Sequence, residues 1–135
     1  MAKYTRTYED TRKRVSQDYA RAVTRPSSPC CCSPVPKGIH AKLASYSDDE
    51  LATLPSEAVT TSFGCGNPLA FLDVKPGDVV LDLGCGAGRD LLLAARKVGP
   101  AGKVIGVDMT DAMIAKAREN IAAAGLANVE VRKGI

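Results

Sequence analysis

A parallel α/β fold, a Rossmann-like sheet with helices between its strands, is predicted for this chain by three features. Apolar runs of strand length alternate with helix-length segments through residues 79–132. A glycine turn, Gly84-Cys85-Gly86-Ala87-Gly88, follows the first run, and the second run, Lys103 to Val107, ends in an acid, Asp108. Strand, helix, strand in that order demands parallel pairing, because each crossover returns the chain to the same edge of the sheet.

From the amino terminus, Tyr4, Tyr8, Val15, Tyr19 and Val23 recur near helical spacing between Lys3 and Arg25. This predicts an amphipathic cover helix with a solvated basic face. Four prolines between Pro26 and Pro36 forbid a helix and deny regular sheet pairing, so residues 25–38, with Cys30, Cys31 and Cys32, are expected to form a mobile loop. Ser47 followed by Glu50 is a capping box opening a short helix that Pro55 closes. Asn67-Pro68 reads as an N-cap and first helical position, and Lys75-Pro76-Gly77-Asp78 as a tight turn into a strand at Val79 to Leu83.

Next come a helix from Arg89 to Val98, a strand from Lys103 to Val107, a helix from Asp111 to Ala124 and a strand from Val129 to Arg132. Thr110 is placed to cap the second of these helices and Gly125 to stop it. Met113, Ala117, Ile121 and Ala124 mark its buried stripe, so Met113 is read as core rather than as a functional sulfur. The domain division expected is a helical extension over residues 1–61 and a nucleoside-binding unit over residues 62–135.

The turn is a cofactor cradle. Glycines let backbone amides approach a ligand, the following helix N-terminus adds unpaired N–H donors, and Asp108 is suited to gripping both hydroxyls of a ribose. The spacing is G-x-G-x-G, with Arg89 where a dinucleotide site would have its third glycine. Asp82, just before the turn, would repel a pyrophosphate but attract a sulfonium and an amino group. S-adenosylmethionine carries both, so it is favoured over NAD, with Asp82, Gly84, Cys85, Gly86, Gly88, Asp108 and Met109 forming its site. Cys85 serves there as a small space-filler, and Met109 flanks the base.

The net charge of +3 is uneven, with residues 1–26 holding seven Lys or Arg against three acids. This excess fits the solvated helix face better than a nucleic-acid arm. The sequence shows neither a membrane span nor a signal-peptide core, so neither nucleic acid nor membrane is expected as a partner, and a cytoplasmic location is. Five cysteines, three adjacent, fit a reducing compartment and reactive or metal-binding thiols.

Ser62-Phe63-Gly64-Cys65-Gly66-Asn67-Pro68, Val80 to Asp90, and Gly99 to Thr110 together resemble the arsenite S-adenosylmethionine methyltransferases, over most of residues 40–135. The resemblance implies a class I methyltransferase fold and methyl transfer to trivalent arsenic for detoxification, with arsenic held as a thiol conjugate and a thiol reductant as partner. Cys65 is the leading arsenic ligand, joined by one or more of Cys30, Cys31 and Cys32. The alternatives are a small buried thiol for Cys65, and for the triplet an oxidisable tail or a zinc site with His40. Soft, thiophilic arsenic prefers thiolates and keeps an outward lone pair as nucleophile, so no general base is required.

The family's sheet has seven strands, and this sequence supplies three. The family's adenine-contacting acid after the third strand and two later arsenic-binding cysteines also lie beyond residue 135. The expectation is therefore a fragment, inactive alone, with a complementing carboxyl-terminal half as partner. Two other functions fit the residues: a non-catalytic binder of arsenite or another soft metal, and a class I methyltransferase acting on a quinone-like carbon.

Overall fold

The computed structural model describes residues 7–24, 46–60, 67–70 and 72–134. Among the described residues, the helices α1 (Tyr8–Thr24), α2 (Asp48–Ala52) and α3 (Ser56–Thr60) come first, then a 3-10 turn at Pro68–Ala70. The remaining order is β1 (Val79–Leu83), α4 (Arg89–Val98), β2 (Lys103–Asp108), α5 (Asp111–Ala123) and β3 (Val129–Lys133). The strands form one parallel sheet in the order β1-β2-β3, with Leu81 opposite Ile105 and Gly106 opposite Val131.

Crossovers of one hand place α4 and α5 on the same face of the sheet. Leu91, Leu92, Val98 and Val104 are fully enclosed there. Gly106 is a glycine for that reason. A Cβ would stand 2.5 Å from Leu91 Cδ1 and 2.9 Å from Cys85 Sγ. Gly88 permits the α4–α5 approach in the same way, with Ala117 Cβ only 3.2 Å from where its own Cβ would be. On the other face of β1, Val79, Leu81 and Leu83 are 70%, 59% and 73% exposed, and among the described residues the strand is paired along one edge only.

The Ser47 capping box is complete, with Glu50 N–H donating to Ser47 Oγ at 3.1 Å and Ser47 N–H to Glu50 Oε2 at 3.0 Å. Gly125 ends α5 at φ +65°, with its N–H on Ala122 O. Two expectations are corrected. Thr110 occupies the N-cap position without a side-chain cap bond. Its own N–H donates to Asp108 Oδ1 at 2.8 Å, so the neighbouring acid organises this turn.

The cover helix also differs from its reading. α1 buries none of its residues, and Tyr8, Val15 and Tyr19 stay exposed. Its half-buried line is Arg12, Ser16, Ala20 and Val23, and the helix lies along α5. The periodicity was sound, but of the predicted apolar stripe only Val23 among Tyr8, Val15, Tyr19 and Val23 lies on the half-buried line. Cys30, Cys31, Cys32, His40 and Cys65, and the expected loop around residues 25–38, lie outside the described residues.

Candidate functional site

β1 delivers Asp82 to the carboxyl end of the sheet, where the chain must turn to enter α4. Gly84, Gly86 and Gly88 take φ values of +82°, +54° and +88°, a region costly for any residue with a Cβ. Gly84 and Cys85 both donate backbone N–H to Val107 O, at 2.8 and 3.1 Å, which folds the turn over the end of β2. Gly86 N–H then reaches Asp108 Oδ2 at 3.0 Å. Asp108 is thus both turn anchor and ligand candidate, because each of its oxygens keeps a second acceptor position after one backbone bond.

The turn has a second buttress that sequence reading missed. Asn120, buried on α5, donates to Ala87 O at 2.9 Å. Its polar amide on the otherwise apolar stripe of Met113, Ala117 and Ile121 was the available signal. Tyr46, Arg89 and Asp90 form another missed group. Arg89 is buried and stacks on the Tyr46 ring at 4.1 Å, its terminal nitrogen donating to the Tyr46 hydroxyl at 3.0 Å. That hydroxyl donates to Asp90 Oδ1. Nothing local in sequence links residue 46 to residue 90.

Burial raises the Asp82 carboxyl to about 6, and the Asp90 and Asp108 charges add to the effect. Burial likewise pushes the Cys85 thiol up to about 12, with Asp82 and Asp108 contributing. A neutral thiol, packed inward toward Gly106, fits the space-filling reading of Cys85. Met109 is half-buried beside a cavity of about 390 Å³, which Arg12, Ser16 and Gln17 of α1 line together with Asp111 and Lys133.

Residues 74–134 match the family described as Methyltransferase domain. That match, on this strand–turn–helix geometry, decides the fold. Residues 74–134 have the class I methyltransferase fold. The chain is 43% identical to an arsenite methyltransferase of Halobacterium salinarum over 93% of its own length and 35% of that protein's. To a demethylmenaquinone methyltransferase of Bacillus cytotoxicus it is 39% identical over 49% of this chain and 28% of that protein. Among solved structures, an arsenic (III) S-adenosylmethionine methyltransferase from Chlamydomonas reinhardtii aligns at 34% identity and TM-score 0.49, over 74% of this chain and 32% of that one. The chain therefore spans about a third of the length of the first of these relatives.

S-adenosylmethionine is the cofactor of this methyltransferase class. The cleft fits it on two observations. A Cβ at Gly84 or Gly86 would meet nothing within 4 Å, so a ligand can lie against the backbone there. Asp82, whose carboxyl is raised chiefly by burial, also feels the Asp90 and Asp108 charges, so the cleft presents carboxylates suited to a ligand with positive groups. Among the described residues no helix is long and apolar enough to cross a membrane.

Proposed function

We propose that this chain is part of a methyltransferase that transfers methyl groups from S-adenosylmethionine to trivalent arsenic. The observation that carries the reading is the reach of the similarity to the Halobacterium protein. At 93% of this chain it necessarily takes in the segment before residue 74, where Cys30, Cys31, Cys32 and Cys65 stand. The demethylmenaquinone relative matches only 49%.

When bound, the cofactor supplies an electrophilic methyl group on a sulfonium. The chain's own residues hold it: Asp82 opposes its positive groups, Asp108 accepts from the ribose hydroxyls, the turn at Gly84–Gly88 accommodates its body, and Met109 flanks the base. Cys65, with one or more of Cys30, Cys31 and Cys32, holds the substrate arsenic through thiolates. Sulfur ligands keep the arsenic lone pair available, and with no proton to remove, alignment is the main catalytic demand. The thiol chemistry calls for a thiol reductant and a reducing, cytoplasmic setting. Turnover calls for the part of the domain beyond the third of its relative's length that this chain spans, with a complementing carboxyl-terminal half as the partner proposed.

Arsenic-edge absorption of the reduced chain with arsenite tests the ligand set, with sulfur neighbours expected and their number reduced in Cys65→Ser. A shell of oxygen neighbours alone overturns the arsenic reading. The second reading, methyl transfer to a quinone-like carbon, draws on the match confined to about half the chain. It needs no cysteine, so thiol alkylation separates the two.

A further inference from the structure

We propose that Tyr46 is a positioning residue of the cofactor cleft, its hydroxyl standing between the Arg89 guanidinium and the Asp90 carboxylate so that Asp90 remains an open negative charge beside Asp82. This rests on reading the cleft as a site for S-adenosylmethionine. The geometry is specific. Arg89 and Asp90 are sequence neighbours of opposite charge, yet Arg89 Nε stays 3.7 Å from Asp90 Oδ1 and has no hydrogen-bond partner among the described residues. A buried guanidinium beside a carboxylate would ordinarily close into a direct, bidentate pair. Here the Tyr46 hydroxyl intervenes, accepting from Arg89 at 3.0 Å and donating to Asp90, while the ring carries the guanidinium on its face at 4.1 Å.

Tyr46 is itself 5% exposed and directly precedes the Ser47 cap of α2. The helical segment is thereby fastened to the mouth of the turn. The charged and titratable groups acting with Asp82 are Asp90 from α4, Asp108 from β2 and the neutral Cys85 thiol of the turn, and Arg89 and Tyr46 reach Asp82 only through Asp90. Burial and Asp90 both hold the tyrosine in its neutral form. Of these, Asp90 is the charge whose effect on Asp82 depends on how closely Arg89 approaches it.

Removing the hydroxyl lets the guanidinium close on Asp90, weakens the negative field at Asp82, and lets Asp82 ionise at lower pH. Calorimetric binding of S-adenosylmethionine to the full chain, from about pH 5 to about pH 8, spans the titration of a carboxyl near 6. Tyr46→Phe is expected to move the midpoint of the affinity curve toward acid by about half a unit or more, and to weaken binding several-fold at neutral pH. Asp90→Asn is expected to move it in the same direction. Tyr46→Phe added to Asp90→Asn is expected to move it no further, since the hydroxyl acts through that carboxylate. An unmoved midpoint in either single variant, or an equal Tyr46→Phe shift with and without Asp90, overturns the proposal. Failure of the unsubstituted chain to bind the cofactor at any pH overturns the reading of the cleft itself, and the proposal with it.

Discussion

Asp82 shows at residue scale what a buried carboxyl, proposed here for the cofactor cleft, costs in stability. An unfolded aspartate ionises near 3.8 and the folded one near 6, so between those values the folded chain holds more protons. Stability therefore falls as pH rises through that window, and the full cost is present above about 6. Asp82→Asn should stabilise the fold at neutral pH by about 1–2 kcal/mol, allowing for solvent screening of a half-buried group. The gain should vanish below about pH 4, which urea unfolding at both pH values will check, while cofactor affinity falls. Gly106 carries a different constraint: Gly106→Ala forces a methyl onto buried Leu91 and Cys85 and should cost about 1–3 kcal/mol, read as a lower melting temperature. The acid before the turn was legible in sequence, because its placement and chemistry are local. Gly106 was not, because what excludes its Cβ is a side chain on another element.

At the scale of elements, sequence punctuation was reliable wherever the cause lay within a few residues. The Ser47–Glu50 capping box formed as its spacing predicts. Ser47→Ala should cost about 1 kcal/mol and fray α2, seen as faster amide exchange at Glu50 and Leu51, whose N–H groups bond to Ser47. α1 was legible as a helix but not in its docking, since a periodic stripe identifies a face without identifying what meets it. Because Tyr8 and Tyr19 remain 71% and 44% exposed, replacing both with glutamine should change stability by less than about 0.5 kcal/mol each. Chemical unfolding compares the variants directly.

For the whole molecule, the decisive feature is β1, which enters the glycine turn and, among the described residues, pairs along one edge with exposed Val79, Leu81 and Leu83 on its other face. An edge of this kind templates association with another chain. Leu81→Gln with Leu83→Gln should reduce self-association in sedimentation velocity without loss of stability, since both side chains are already in solvent. By itself the sequence determined the parallel strand order, the G-x-G-x-G turn with its two acids, and the kind of cofactor these can hold. Each of those depends on neighbours within a few residues or on one repeated period. Tertiary structure alone decided that Asn120 buttresses the turn, that α1 lies along α5, and that Tyr46 stands between Arg89 and Asp90. Those partners are brought together across 33 positions of chain for Asn120, 44 for Tyr46 and Asp90, and more for α1 and α5, distances over which local pattern carries no information.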